Sequence, residues 1–223
     1  MSLADKVAEQ QALLVDLGLA DGPKHIAVDL GCGPGYQSFA LANLGFGSIL
    51  SIDTSRRLIA ELETDKTDNS IKAVVADLLT FPDLVEPGSV NAILCMGDTL
   101  THLESRADVS TLFLHAYNAL AADGRLVLTF RDFSTELCGL ERFIPVQADD
   151  DRIMTCAVDY EPETVVVTDL IHVRNGNEWT LHKSSYQKLR LIPAMLESEL
   201  QEIGFVVDQN RFVGRMHAIV ARK

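Results

Sequence analysis

A glycine-rich turn at residues 31–35 (GCGPG) is the feature of this 223-residue sequence with the clearest chemical use. It follows an apolar segment at 25–30, predicted to be a strand, and precedes a helical pattern over 36–44. Alternating glycines at such a junction let the backbone turn sharply and let a ligand approach the main chain closely. A dinucleotide fingerprint would have a glycine at position 36, where this chain has Tyr36. The turn therefore predicts a ligand site and argues against NAD.

Acidic residues end three successive predicted strands: Asp29, Asp53 and Asp77. Ligands of open α/β sheets bind beyond the carboxyl ends of the strands, so we expect these three side chains to form one site. Asp53 lies about 20 residues after the turn, a spacing at which a carboxylate can bind both hydroxyls of a ribose. An alternative is that Asp53 belongs to a helix N-terminus, since the segment 53–55 (DTS) also suits helix capping.

Predicted strands and helices alternate along the first part of the chain. The strands are short and apolar throughout, as a parallel sheet covered by helices on both faces requires. We therefore expect a doubly wound, Rossmann-like α/β sheet of seven strands, mostly parallel, with an antiparallel last strand. Residues 142–191 instead contain β-type segments and no long helical pattern. We predict a single domain over 1–223, with an antiparallel β insertion over 133–192 that caps the substrate side.

Composition and charge narrow the possible partners. The chain has 19 Lys and Arg against 32 Asp and Glu, a net charge of −13, which disfavours a surface for nucleic acid. No apolar run approaches the roughly 18–20 residues of a membrane span. The four cysteines lie far apart without a C-x-x-C pair, so we expect no metal. These features predict a cytoplasmic protein with a small-molecule substrate; they do not indicate its oligomeric state.

Five segments combine these features: 27–35 (AVDLGCGPG), 48–55 (SILSIDTS), 74–81 (VVADLLTF), 90–103 (VNAILCMGDTLTHL) and 123–132 (DGRLVLTFRD). In these segments the chain resembles the class I S-adenosylmethionine-dependent methyltransferases of the small-molecule type. With the closing strands, the resemblance covers the chain except residues 133–192. It implies S-adenosylmethionine (SAM) as cofactor and an antiparallel β layer after the fifth strand, where the family builds its substrate pocket.

The resemblance also implies a role for each matching residue. The turn would pass under the methionine moiety, Asp53 would bind the ribose hydroxyls, and Asp77 with Leu78 would meet the adenine. Met96 and Gly97 would line the side of the methyl donor. The predicted cofactor-binding residues are Asp29, Gly31, Cys32, Gly33, Gly35, Asp53, Thr54, Asp77, Leu78, Met96 and Gly97.

Candidate catalytic residues follow from the chemistry of methyl transfer. The protein mainly aligns the reacting atoms, and a base is needed only where the nucleophile arrives protonated. The loop after the fourth strand offers Asp98 and His102. His102 is either that base or a solvated loop histidine. Arg131, at the same sheet edge, could bind a substrate carboxylate or pair with a neighbouring acid.

The insertion strand at 178–191 alternates between an apolar and a polar face. We predict that its polar face roofs the site and brings His182 and Tyr186 to it as catalytic candidates, whereas Lys188 and Arg190 face solvent. The preceding hairpin has two possible registers. Matching apolar residues favours a three-residue loop at 175–177, which sets Val173 opposite Trp179.

Three functions fit the sequence. The first is SAM-dependent methylation of a nitrogen or oxygen atom of a small molecule. The second is a non-catalytic domain that binds SAM. The third is an NAD(P)-type Rossmann oxidoreductase, against which Tyr36 and the antiparallel C-terminal strands argue.

Overall fold

A computed structural model describes residues 2–67 and 69–223. In chain order, its helices and strands are α1 (Leu3–Asp16), β1 (Ile26–Leu30), α2 (Tyr36–Asn43), β2 (Ser48–Asp53), α3 (Arg56–Asp65), β3 (Ile71–Val75), β4 (Val90–Cys95), α4 (Arg106–Ala119), β5 (Leu120–Phe130), β6 (Phe143–Ala148), β7 (Arg152–Tyr160), β8 (Thr164–Asn175), β9 (Glu178–Leu189), α5 (Pro193–Ile203), β10 (Val206–Val213) and β11 (Met216–Arg222). Short 3-10 helices at Leu78–Leu84, Thr99–His102 and Gly139–Arg142 join some of them.

The larger sheet has seven strands in the order β10-β11-β5-β4-β1-β2-β3. Strands β1 to β5 pair in parallel, and β11 runs antiparallel to both β5 and β10. The strand order reverses between β1 and β4, so a crevice opens beside the carboxyl end of β1, where open α/β sheets bind ligands. The predicted doubly wound fold with an antiparallel last strand is confirmed.

Helices cover both faces of this sheet, which explains why its strands are apolar throughout. On one face, Leu112 and Phe113 of α4 and Leu196 of α5 pack against strand residues such as Val28. On the other face, helices α1, α2 and α3 pack against Ala27 and its neighbours. The sheet is therefore held rigidly from both sides, and its carboxyl edge is a fixed platform for the loops that follow the strands.

Serine caps start two of the helices that begin next to this edge. The Ser55 hydroxyl accepts the Leu58 N–H at 3.4 Å at the start of α3, and the Ser105 hydroxyl accepts the Asp108 N–H at 3.2 Å at the start of α4. Each bond satisfies an amide that the helix itself leaves unpaired. The caps fix where the loops after β2 and β4 end.

A second sheet, in the order β6-β7-β8-β9, is antiparallel and lies within the predicted insertion. We call it the cap sheet. Its inner face carries Val158, Val165 and Val167, which pack with Phe133 from the segment after β5. This small apolar cluster joins the cap sheet to the chain segment that leaves the larger sheet.

The predicted hairpin register is wrong by one residue. Asn175 pairs with Glu178, and Val173 lies opposite Thr180, so the loop contains only Gly176 and Asn177. Gly176 has φ +65°, which suits a two-residue turn with glycine first and matches the twist of the flanking strands. Apolar matching could not decide the register because the first ten residues of β9 are exposed.

Candidate active site

A cavity of about 370 Å³ opens at the carboxyl ends of β1 to β3. We call it the edge cavity. Five predicted cofactor residues line it: Gly31, Asp53, Thr54, Asp77 and Leu78. The lining residues that sequence reasoning missed are Ile52, Ala76, Leu79, Thr99, Leu103, Glu104 and Asp108. Several of them lie inside the segments of the family resemblance, next to residues that were predicted to bind the cofactor. Their position beside those residues could have identified them.

The glycine turn has the left-handed backbone that glycine adopts without strain. Gly31 has φ +71° and Gly33 φ +55°. A Cβ at Gly31 would lie 2.3 Å from Thr99 Cγ2, whereas a Cβ at Gly33 would meet nothing within 4 Å. The loop after β4 therefore packs directly on Gly31, and the space beside Gly33 is open to a ligand.

Asp53 is held in place by two main-chain amides. Its Oδ2 accepts the Gly33 N–H at 2.9 Å, and its Oδ1 accepts the Ser55 N–H at 2.8 Å. The side chain therefore supports the segment before α3 and also lines the edge cavity, where its ribose role stays a prediction. Each carboxylate oxygen can accept a further hydrogen bond, which is what a pair of ribose hydroxyls would need.

Asp77 and Asp29 differ in their surroundings. Asp77 is exposed in the edge cavity, and its Oδ1 accepts the Leu79 N–H at 2.8 Å. Asp29 is only 1% exposed, and its Oδ2 accepts the Ser38 hydroxyl at 2.6 Å beneath the turn. Burial raises the pKa of Asp29 to about 7. The structure therefore brings Asp53 and Asp77 to one cavity and leaves Asp29 behind its wall.

The other predicted cofactor residues lie next to the edge cavity rather than in its wall. Cys32 is buried, and burial together with Asp29 and Asp53 raises the pKa of its thiol, so this cysteine is no nucleophile. Met96 is buried after β4, and Gly97 beside it is exposed with φ +69°. Gly35 packs against Leu62, which a Cβ there would approach to 2.7 Å.

A second cavity, of about 490 Å³, lies under the cap sheet. We call it the cap cavity. Apolar side chains from the cap sheet form much of its lining, including Ile144, Met154 and Val167. The β10–β11 hairpin contributes Phe212 and Arg215 to the same cavity. Its volume is within the range of sites for small molecules.

The two cavities meet at a pair of aromatic rings. His102 lines the edge cavity and Tyr186 lines the cap cavity. Their rings stack with centroids 5.7 Å apart and an interplanar angle of 25°. The predicted placement of Tyr186 near the loop after β4 is therefore seen, whereas His182 lies on the exposed part of β9, outside the residues that line either cavity.

A buried ion pair fixes the cap sheet to the loop after β4. Asp98 Oδ2 pairs with Lys188 Nζ, and Asp98 Oδ1 accepts the Arg131 N–H at 2.8 Å. Asp98 is 5% and Lys188 8% exposed. The prediction that Lys188 faces solvent is wrong, because the carboxylate of Asp98 holds it inside. These contacts make Asp98 a positioning residue for β9, and its catalytic role stays a prediction.

The prediction that Arg190 faces solvent is also wrong. Its guanidinium donates to the Phe133 carbonyl at 3.0 Å and pairs with Glu136 at 2.7 Å, and the side chain is 16% exposed. The alternation of β9 suggested a solvent face, but the segment after β5 folds over this end of the strand. Carbonyls and a carboxylate there replace water around the guanidinium.

The protonation states at the junction of the cavities are set by burial and neighbouring charges. Partial enclosure of the imidazole, with the positive charge of Lys188, lowers the pKa of His102 below its ordinary value, although Asp98 opposes this. The residue as a whole is exposed. Burial, with Asp169, raises the pKa of Tyr186. At neutral pH the site therefore presents a neutral imidazole beside a protonated phenol.

Residues 27–124 match the family model of the methyltransferase domain. They contain the glycine turn, the strand-end aspartates and the loop with His102. Over these residues, which are less than half of the chain, the sequence is similar to the methyltransferase domain. The match agrees with the family that the sequence resembles, and the cap sheet lies beyond the matched residues.

Curated relatives match part of this chain. A glycine/sarcosine N-methyltransferase from Aphanothece halophytica is 27% identical over 114 residues, which are 50% of this chain and 42% of that protein. The chain thus spans less than half the length of this relative.

Solved methyltransferases share the whole fold. The CcbJ methyltransferase from Streptomyces caelestis matches with a TM-score of 0.78 at 19% identity, covering 96% of this chain and 88% of that one. SAM-bound CalS10, an amino pentose methyltransferase from Micromonospora echinaspora, matches with a TM-score of 0.77 at 15% identity, covering 100% and 92%. At these identities the likeness establishes the fold.

Two further findings concern the residues that the structure describes. None of their helices is both long enough and apolar enough to cross a membrane. No group of three or more His, Cys, Asp or Glu side chains among them could hold a metal ion.

Proposed function

We propose that this protein transfers a methyl group from SAM to a nitrogen or oxygen atom of a small molecule. The contact between His102 and Tyr186 carries the proposal, because it joins a cavity suited to the cofactor to a cavity suited to an acceptor. The edge cavity would hold SAM and the cap cavity the acceptor. The junction would then be where the reacting atoms meet.

The residues of the edge cavity fit SAM. Asp53 has two fixed oxygens for the ribose hydroxyls, and Leu78 and Leu79 offer apolar surface to an adenine beside Asp77. The open space at Gly33 would let the methionine moiety pass along the turn. When bound, SAM supplies a methyl carbon made electrophilic by its sulfonium, and this carbon bonds to the acceptor's lone pair as the carbon–sulfur electrons stay on sulfur.

The side chains at the junction would align the acceptor and receive its proton. His102 is the general base of this proposal, since its lowered pKa keeps it unprotonated at neutral pH. Tyr186 would donate a hydrogen bond to the acceptor and, through its stacked ring, hold His102 in place. The Asp98–Lys188 pair would act as a positioning element that keeps Tyr186 over the loop.

The size and location of the cap cavity support a small-molecule acceptor. The proteins named above include a glycine/sarcosine N-methyltransferase and an amino pentose methyltransferase, and the first name gives nitrogen as the acceptor atom. A cytoplasmic location is part of the same proposal. It rests on the free thiols of Cys32, Cys95, Cys138 and Cys156, because reduced cysteines are typical of that compartment.

Binding and turnover together test the proposal. Titration calorimetry with S-adenosylhomocysteine should show saturable binding, and incubation with methyl-labelled SAM and a panel of small amines and alcohols should label an acceptor. Tight binding without transfer to any acceptor would favour the non-catalytic alternative. Binding of NADH in place of S-adenosylhomocysteine would favour the oxidoreductase and contradict the proposal.

A further inference from the structure

Two arginines meet at one wall of the cap cavity. Arg131 follows the last residue of β5, and Arg215 lies in the turn between β10 and β11. Because His217 pairs with Phe130 in the antiparallel β11–β5 ladder, the two arginines lie just beyond the neighbouring ends of these strands. Both line the cap cavity.

Neither guanidinium forms an ion pair or a hydrogen bond with any residue in 2–67 or 69–223. Arg190, at the edge of the same region, is by contrast held by Glu136 and main-chain carbonyls. In a chain with 32 acidic and 19 basic residues, carboxylates are abundant. Two uncompensated guanidinium groups facing a cavity are therefore available to a ligand.

The other charged residues of the cavity do not cancel this pair. The positive charge of Lys188 is neutralised by Asp98. Asp132 lines the cavity, and its Oδ1 accepts the Ser134 N–H at 2.8 Å, so it is already partly engaged. Among the lining residues cations therefore outnumber anions, although Asp169 adds a carboxylate behind the wall, where it accepts the Cys156 thiol at 3.0 Å.

The rest of the cavity suits an apolar molecule. Phe133, Val158 and Val167 are buried in the cluster beneath the cap sheet and also line the cavity. Phe212, which is 62% exposed, lies at the same wall as Arg215. An exposed aromatic ring beside a free guanidinium provides one apolar and one anion-binding contact for the same ligand.

We propose that the acceptor is an amphipathic anion, with an apolar body in the cap cavity and a carboxylate or phosphate group bound by Arg131 and Arg215. The proposal rests on the proposed function, because it names the substrate class of that site. A guanidinium binds either anion through two parallel hydrogen bonds, so the two sources share one chemistry.

Matched ligand pairs test this inference without knowledge of the true acceptor. With the protein saturated by S-adenosylhomocysteine, calorimetry would compare 3-phenylpropionate with 3-phenylpropionamide, and phenyl phosphate with phenol. We expect each anion to bind about tenfold or more tightly than its neutral partner, equal to about 1.4 kcal/mol. The anion that shows the larger preference identifies carboxylate or phosphate as the natural group.

Substitutions assign the preference to the two arginines. Arg131→Gln and Arg215→Gln should each reduce anion affinity by about tenfold and leave that of the neutral ligands unchanged. Arg152→Gln is the matched control, since Arg152 is exposed on the cap sheet and lies outside the cavity lining. Equal binding of anion and amide by the wild type, or an unaltered preference in both cavity variants, would overturn the inference. Failure of S-adenosylhomocysteine itself to bind would instead contradict the proposed function.

Discussion

The edge cavity is built largely from main chain and short loops at the ends of parallel strands, whereas the cap cavity is built from side chains that project from a separate antiparallel sheet. In the first region, glycine conformations and two amide bonds to Asp53 fix the geometry. In the second, one buried ion pair and a small apolar cluster do so. The edge cavity can therefore bind a ligand largely through its main chain. The ligand preference of the cap cavity depends instead on side chains, which substitution can change.

The largest effect is expected at the junction of the two cavities. His102→Gln should lower the rate of methyl transfer by about 10²- to 10⁴-fold, the usual contribution of a general base. Because the pKa of His102 lies below its ordinary value of 6.5, the wild-type rate should fall only as the pH drops below that value. A pH–rate profile would show this acid limb in the wild type and not in the variant.

The control for this prediction is His25→Gln. His25 is exposed before β1, at the opposite edge of the sheet. An acid limb that persists in His102→Gln, or a comparable loss in His25→Gln, would contradict the assignment of the base.

The buried ion pair should give the largest effect on stability. Asp98→Asn can still accept the Arg131 N–H but leaves the Lys188 charge buried without a partner, which costs about 3–5 kcal/mol in the free energy of unfolding. Urea denaturation would measure the loss. Adding Lys188→Met should recover much of it, because the second change removes the unpaired charge.

Asp123→Asn provides a matched control for the ion pair. Asp98 and Asp123 both have a positive φ, at +77° and +61°, but the Asp123 side chain, which pairs with Arg222, is 77% exposed. Its loss should cost about 1 kcal/mol or less. A double variant no more stable than Asp98→Asn, or equal losses for Asp98→Asn and Asp123→Asn, would show that the buried pair has no special role.

A smaller effect is expected for the ribose contact in the edge cavity. Asp53→Ala should weaken binding of S-adenosylhomocysteine by at least about tenfold, since a hydrogen bond to a charged group contributes roughly 1.5–3 kcal/mol. Calorimetry measures the affinity, and a thermal melt checks that the fold survives. Asp83→Ala, an exposed aspartate outside the cavity lining, should bind normally. Unchanged affinity in Asp53→Ala would remove the ribose assignment.

The smallest effect is expected when the same substitution, glycine to alanine, is made once in each region. Gly176→Ala, in the cap hairpin with φ +65° and open space at its Cβ, should cost about 1–2 kcal/mol of stability and leave cofactor binding unchanged. Gly31→Ala has a similar φ of +71°, but its Cβ would collide with Thr99. It should weaken S-adenosylhomocysteine binding as well as stability. Similar binding by both variants would contradict the central role of the turn.

The sequence predicted the larger sheet and the glycine and aspartates of the edge cavity because their signals are local. Alternating apolar strands and helices determine the sheet, and glycines must occur where the backbone turns left-handed. Asp53, Asp77 and Gly31 follow directly from that order. Asp29 is the exception, because its position in the strand does not reveal that its side chain bonds Ser38 beneath the turn.

The cap region was harder to predict because its decisive contacts are distant in sequence. Lys188 meets Asp98 across 90 residues, and Arg190 meets Phe133 across 57, so strand alternation alone wrongly placed both in solvent. The hairpin register depended on the conformation of Gly176 rather than on apolar pairing. Tyr186 was found because its side of β9 faces the larger sheet near the end of the strand.

The central claim is that SAM binds in the edge cavity with its methyl group directed to the junction of His102 and Tyr186. A crystal structure with S-adenosylhomocysteine tests it most directly. We expect both ribose hydroxyls within about 2.6–3.2 Å of the Asp53 carboxylate, the adenine beside Leu78, and the sulfur facing Tyr186. S-adenosylhomocysteine bound elsewhere, or bound with its sulfur turned away from the cap cavity, would contradict the account.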